Sequence, residues 1–409
     1  MMQEGIYYQR GTKPPFNFGI MFLRVSEGVN ATTVANTLEQ LWKMYQELKQ
    51  GIVRDLPDIT VPPGNLNVTI GYGLNAFDIP EVQKPQPLEF RNRFLSVAPN
   101  GGNRLLRSAG LSYEPGLTKN PATEEIMVQF LGDTPLVINR PMIETWKFLR
   151  QQKDPETGTA PLQITAFYTG FHREDRRSWI DFHDGLSNPR KGEQRERVIT
   201  IQNPDASPID AWTKGGTYMT FMRLPIDLEV WNRLSRREQE LLVGRDKISG
   251  CGLEAIEEGE VKPVIGCPLH NTTEVTQSGN ESFREPPDGV SQQLKKSHVQ
   301  RANHHRQDFA NPESLRIYRQ GYEFAESVRD GIPRVGLNFV SFQDTPFRII
   351  QMLTRGDWLG GVNFGGEIDA DTSPQLIRVA AAGIYLIPPF KETEPFPGAE
   401  IFLTLDAPS

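Results

Sequence analysis

"FNFGIMFLRV", Phe16 to Val25, is followed across a five-residue turn by "ATTVANTLEQLWKMYQELKQG", Ala31 to Gly51. The first run is almost continuously apolar, as a buried strand requires, and the second carries its apolar residues at helical spacing before ending in Gly. A strand that feeds a helix is the first step of a layered α+β unit. The next segments extend it: "LNVTIGYG" at 66–73 reads as a strand, "EEIMVQFLGD" at 124–133 as another, "PMIETWKFLRQQ" at 141–152 as a helix and "PLQITAFYTGFH" as a closing strand. Strand-helix-strand, strand-helix-strand is the order of a ferredoxin-like unit.

The second half repeats this grammar less regularly. "GGTYMTFMRLPIDLEVWNRLSRREQELLVGRDK" reads as a strand through Arg223, a helix opening near Asp227 and a second helix at Ser235, where Glu238 three residues on completes a capping box. "GLNFVSFQ" at 336–343 is a strand and "TPFRIIQMLTRGDW" a helix. The expected fold is therefore α+β, two ferredoxin-like halves with antiparallel sheets brought together in a barrel-like pair, divided as residues 1–200 and 201–409. Between the regular elements of the second half lies a polar stretch, 254–314, with no periodicity; a loop of that length in a compact chain is usually functional or disordered.

Composition bounds the partners. The chain has 409 residues, 37% of them hydrophobic, and a net charge of -7. That is enough for a sizeable core, and the negative balance argues against a nucleic-acid partner, which favours a basic face. The longest apolar run, "AAAGIYLI" at 380–387, is far short of the roughly 20 residues that cross a bilayer. The start lacks the basic and apolar regions of a signal peptide, so a cytoplasmic location and no membrane partner are expected. Two cysteines, Cys251 and Cys267, are too few for a disulfide framework and read as inert thiols.

Two polar constellations stand out. "SWIDFHDGLSNPRKG", Ser178 to Gly192, has ordinary turn vocabulary, because Gly supplies positive φ and Asx side chains bond their own backbone; alone it is more often a loop than a site. "KKSHVQRANHHRQDFANPESLRIYRQGYEF", 295 to 324, holds three of the six histidines, His298, His304 and His305, and closes with Arg316 and Arg319. It has no H-x3-H or HExxH spacing, so structural zinc does not fit. One loop histidine suffices, however, for an iron already held by a porphyrin.

These residues resemble those of the dye-decolorizing peroxidases, haem enzymes with two ferredoxin-like halves. "DFHDGLSN" at 181–188 is similar to the family's GxxDG segment, the "TYMTFMR" block to its strand and helices, "HVQRAN" to its proximal-histidine motif, "RIYRQGYEF" to its Arg-x-Gly-Tyr element and "GLNFVSFQ" to its late core strand. They occur in the family's order from about Gly110 to Gly361. The first position of GxxDG is Asp181 here and not Gly; Asp tolerates a left-handed backbone better than most residues.

The resemblance implies a haem b cofactor, bound mainly by the second half, with His298 as the axial ligand of its iron. It implies Asp184 as distal acid-base residue and Arg319 as distal arginine. A carboxylate there can move a proton between peroxide oxygens, and an arginine, always protonated, offsets the charge that develops. A reference pKa near 3.9 for Asp, against about 6.5 for His, keeps such a base competent in acid. Arg316, three residues from Arg319, competes for the distal role if the segment is helical. His183 fills a variable position and is the weaker candidate for the base. Leu337 and Phe339 alternate along one strand and share a face, where the resemblance makes them the wall that excludes water from the distal haem face. Arg223 at its strand end is a candidate partner for a haem propionate. Asp344 is a candidate acceptor for the second ring nitrogen of the ligand histidine, although Asp344 or Thr345 ahead of Pro346 is more often a helix cap. The implied partners are hydrogen peroxide and an aromatic or dye-like electron donor, with homo-oligomers left open. Haem handling without turnover and a haem-free binding module are the alternative functions; retention of a distal acid and an arginine favours the peroxidase, since a carrier needs only the histidine.

Overall fold

The computed structural model describes residues 1–8, 14–90, 112–113, 124–186, 188–189, 192–202, 208–255, 261–263, 297–299, 316–353, 362–363, 366–367 and 376–404. Its centre is a closed barrel of eight antiparallel strands: β1 (Asn17–Val25), β2 (Asn67–Tyr72), β3 (Ile126–Gly132), β4 (Leu162–Phe171), β5 (Thr217–Ile226), β6 (Tyr318–Arg329), β7 (Ile332–Gln343) and β8 (Ala381–Ile387). They run around the barrel in the order β1-β3-β2-β8-β5-β7-β6-β4. Each half thus repeats one arrangement, its fourth strand beside the first, then the third, then the second. The halves meet along two short seams, Tyr72 opposite Leu386 and Phe171 opposite Glu323. The ferredoxin-like expectation holds, and closure adds what the strand pattern alone did not contain: neither half is left with a free edge, which would invite pairing with other chains.

Alternation of side chains along the strands separates the barrel interior from its outer face. Phe18, Ile20 and Phe22 of β1, Met219 and Phe221 of β5, Tyr318 and Tyr322 of β6, and Val340 and Phe342 of β7 form one buried cluster inside. Phe18 stacks on Tyr322 with centroids 4.4 Å apart, joining the two halves through the middle. The outer face of the first half is covered by α1 (Ala31–Lys49) and α2 (Pro135–Gln151). Asn30 caps α1 by accepting from the Thr33 N–H at 3.0 Å. Val34, Leu38, Leu41 and Leu48 are buried against Met21, Val128 and Phe130, each large aliphatic side chain contributing about 1.5–3 kcal/mol by removal from water.

Between β4 and β5 lies α3 (Glu193–Ile199), and the second half carries α4 (Leu228–Arg233), α5 (Arg236–Val243) and α6 (Phe347–Leu353). Asp227 caps α4 and the Ser235–Glu238 capping box opens α5, both as the sequence predicts. Three readings need correction. Helix α2 starts at Pro135, not at Pro141: Thr134 and Pro135 form the start, and Pro141 is accommodated inside, buried on the core side. The segments 318–329 and 381–387 are strands that were not anticipated as such. Cys251 is disulfide-bonded and is not an inert thiol; Cys267 lies outside the described residues, as do His270, His304, His305 and most of the polar stretch 254–314. No helix among the described residues is long and apolar enough to cross a membrane.

Candidate active site

Strand β6 sorts its residues between two surfaces. Tyr318, Gln320 and Tyr322 point inward and are buried, which leaves Arg319, Gly321 and Glu323 on the outer face of the second half. Beside them on β7, Phe339 stands opposite Gly321 and Leu337 opposite Glu323. Leu337 and Phe339 are only half-buried, unlike their inward neighbours Asn338 and Val340. Apolar side chains therefore form a wall next to a cation and an acid.

The turn at 178–188 is laid over this face. The Ser178 N–H bonds the Phe182 carbonyl and the Asp181 N–H bonds the Ser178 carbonyl, which closes a tight loop with Asp181 at φ 67°. The position that is Gly in the family motif does require a left-handed backbone, and Asp supplies it. Arg177 fastens the loop from outside, donating to the carbonyls of Asp181, Lys247 and Ile248 at 2.6, 2.7 and 3.0 Å. From inside, buried Asn188 pairs with the main chain of Arg319, donating to its carbonyl at 2.8 Å and accepting from its N–H at 3.0 Å. Those two bonds fix the loop to β6 at the residue whose side chain matters.

Asp184 consequently sits on the middle of that outer face. Its Oδ1 accepts from the Gly185 N–H at 2.6 Å and lies 3.8 Å from Nη1 of Arg319. Its Oδ2 hangs over Gly321: a Cβ built there would stand 2.8 Å from Oδ2 and 3.0 Å from Cδ1 of Leu337. Any other residue at 321 would fill the gap between the acid and the apolar wall. Glycine keeps it open.

His298 approaches the same place from another element. Around it Ser297 and Val299 are buried, and Val299 packs with Phe182 and Trp231. Gly244, the left-handed cap of α5, lets Ser297 come close, since a side chain there would collide with it. His298 keeps some exposed surface, but its Nδ1 is fully enclosed. Burial first, and then the Arg319 guanidinium, pushes the imidazole down to about 3, with the Asp184 carboxylate acting in the opposite direction and Arg245 adding to the depression. The ring is thus neutral at ordinary pH, as a metal ligand must be, and it senses both distal candidates.

Several expectations are corrected. Arg223 belongs to the inward set of β5: its partner in the register is Asn338, whereas Met222 and Leu224 oppose Phe339 and Leu337. Its guanidinium is buried, donates to Oδ1 of Asn338 at 2.7 Å, pairs with Glu326 and lies over the rings of Phe324 and Tyr168. It is on the wrong side of the sheet for a haem propionate on the Leu337 face. Arg316 is not on a helix with Arg319; it precedes strand β6, so three-residue spacing does not align the two. Asp344 is engaged by Arg348 at 2.6 and 3.0 Å, and Thr345 accepts from the Phe347 N–H at the start of α6. The capping alternative holds there at Thr345, and Arg348 engages both oxygens of Asp344. His183 is tied through Nε2 to Arg177 at 2.7 Å, and burial together with that cation lowers its pKa, which makes it part of the loop's fastening.

Two residues were missed. His172, just past the end of β4, lies against the Tyr322 ring at a tilt of 36° with centroids 4.2 Å apart and has an enclosed Nε2 with no hydrogen-bond partner among the described residues. Burial pushes it down to about 4 against the pull of the Asp184 carboxylate. Glu323, fourth along from Arg319, is 5% exposed, and its Oε2 likewise has no partner there. Period-two alternation through "RQGYEF" places Glu323 with Arg319 once the segment is read as a strand.

Residues 175–392, more than half of the chain, match the family described as Dyp-type peroxidase, C-terminal. A deferrochelatase of Escherichia coli O6:K15:H31 is 27% identical over 186 residues, which cover 44% of this chain and 38% of that protein. The matched segment is thus well under half the length of that curated relative. Ferric DtpA from Streptomyces lividans shares the fold with a TM-score of 0.69 at 20% identity, over 98% of this chain and 95% of that one. A variant of DypB from Rhodococcus jostii RHA1, in complex with heme, does so with a TM-score of 0.56 at 14% identity, over 95% and 96%.

Proposed function

The chain belongs to the Dyp-type peroxidase family, and we propose from that premise that it holds haem b through His298 and reduces hydrogen peroxide to water at the expense of an aromatic or dye-like donor. The residues fit the group on three observations of this structure. His298 presents a neutral ring. Gly321 leaves a gap that any side chain would fill. Leu337 and Phe339 line that gap with apolar surface on the face that carries Arg319. In this reading residues 1–200 bring Asp184 to a site that residues 201–409 otherwise build. Haem, when bound, supplies the redox iron at which peroxide is reduced and the donor is oxidised by one-electron steps.

The chain's own contribution is proton handling and charge. Oδ1 of Asp184 is held by the Gly185 N–H and faces Arg319, so Oδ2, over Gly321, is the oxygen open to a substrate. That atom takes the proton from one peroxide oxygen and returns it to the other, so that the O–O bond breaks with water leaving. Arg319, its main chain pinned by Asn188, holds positive charge beside the site throughout. Leu337 and Phe339 keep bulk water away from both.

The observation that carries this reading is the convergence of Asp184, Arg319 and His298 from three separate elements. Donor oxidation by the haem-loaded protein tests it: Asp184→Asn is expected to retain haem and lose about 10²- to 10⁴-fold in turnover. Full turnover in that variant would remove Asp184 from the reaction, whereas a wild type that binds haem without oxidising the donor would favour the second reading, haem handling without peroxidase turnover, which the E. coli relative's name, deferrochelatase, brings forward. The cytoplasmic expectation meets a counter-observation in the disulfide at Cys251, since disulfides persist mainly in oxidising compartments. Thiol titration of the protein drawn from its own cells distinguishes the two.

A further inference from the structure

Asp184 sits over the middle of three outward residues of β6. Arg319 lies on one side of the gap at Gly321 and Glu323 on the other, two residues along the strand and so about 7 Å away. The charges around Glu323 are unevenly provided. Arg173 is a cation that acts on Glu323, but it is spent on Asp175, donating to both carboxylate oxygens at 3.0 and 2.6 Å, and lies over the Trp179 ring. The remaining groups facing Glu323 are Asp184, Asp175 and the main-chain N–H of Trp179; Phe171 and Leu337 oppose it on the neighbouring strands. His172, next to Phe171, is neutral. No ion pair of Glu323 exists among the described residues, and its Oε2 is buried without a partner there.

We propose that Glu323 is a second, proton-holding carboxyl of the site, which leaves Asp184 and Glu323 together with a single negative charge that Arg319 balances. The function of the pair rests on the reading of the site given above; its protonation does not. A buried carboxyl with no cation of its own keeps its proton because water is not there to stabilise the anion. The neighbouring Asp184 carboxylate acts in the same direction. Burial, reinforced by Asp184, pushes Glu323 up to about 8. Glu323 thereby acts as a positioning residue: protonated, it adds no charge to the site of Asp184; ionised, it places a second anion near the gap where peroxide has to enter.

One residue should therefore set an alkaline boundary. Infrared titration of the chain prepared without haem should show a protonated-carboxyl C=O band at pH 7 that is lost through about pH 8, shifts on isotopic labelling of glutamate carboxyls and is missing in Glu323→Gln. Haem-loaded protein should show a change in its absorption spectrum over the same pH range that Glu323→Gln lacks. Wild-type stability should also fall as pH rises from the ordinary glutamate range through about 8, because the folded chain keeps the proton that the unfolded chain has released. An infrared spectrum at pH 7 in which Glu323→Gln and wild type coincide, or a band that does not shift with labelled glutamate, overturns the proposal. Loss of the peroxidase reading through Asp184→Asn would leave the infrared result standing, so the two fail separately.

Discussion

The two halves of the barrel have the same strand order and opposite fates on their outer faces. In the first half α1 and α2 close over the sheet, and Leu38, Leu41 and Ile138 make that face part of the core. In the second half the corresponding face carries Arg319, Gly321 and Glu323, and its apolar members, Leu337 and Phe339, stay half-buried. Duplicating a stable layout lets one copy provide packing while the other keeps unsatisfied, chemically useful groups. The interior, continuous through Phe18 and Tyr322, supports both.

The contrast breaks most visibly if substitutions on the two faces have the same effect. Arg319→Leu should lower donor oxidation by the haem-loaded protein by about 10²- to 10³-fold, in line with loss of one preorganised charge donor. Its melting temperature should move little, since the Arg319–Asp184 pair is partly exposed and worth little to stability. Leu38→Ala on the first half should do the reverse, removing about 2–5 kcal/mol of stability by opening a cavity while turnover per folded molecule is kept. Paired thermal melts and turnover assays decide this, and equal losses of activity would erase the distinction.

A smaller effect tests the seam between the halves. His172 has a folded value of about 4, below the ordinary histidine value, so the unfolded chain takes up a proton first. Its contribution to stability is complete above about pH 6.5 and is lost as pH falls through about 4, by up to about 3 kcal/mol. His172→Phe should keep the ring contact with Tyr322 and flatten that acid loss, as read from melting temperature against pH.

The smallest effect concerns Arg223. Arg223→Ala should cost about 1–3 kcal/mol by leaving the buried Asn338 amide short of a partner, with an unchanged Soret band. A shifted band would return Arg223 to the haem face.

Sequence reasoning recovered the elements whose signals are local. Capping at Asp227 and Ser235 and the strands β1 to β4 were all legible from spacing and composition. β6 was not: "RIYRQGYEF" mixes charged and aromatic residues because its inward side is aromatic and its outward side is the site, so it shows no run of apolar residues. With no strand assigned there, a helical spacing stayed open to Arg316 as a rival of Arg319, and Glu323 was not placed beside it. The helix read over 141–152 misses its first turn and a half, because Pro141, which locally suits a helix start, lies buried inside α2. Which side of β5 Arg223 occupies depends on register, and composition carries none. Asp181 was the reverse case: its tolerance of positive φ was foreseeable from the residue type, and the backbone has φ 67°.

Everything proposed for this protein turns on one face of the second half being a haem site whose iron is held by His298. The absorption spectrum of wild type and His298→Ala, after reconstitution with haem and removal of excess, addresses that without intermediary. The wild type should keep its Soret band through gel filtration and His298→Ala should show a weak or displaced one, with Arg319→Leu and Asp184→Asn still binding haem. An unchanged band in His298→Ala, or its loss in His304→Ala or His305→Ala instead, would contradict the assignment of His298 to the iron.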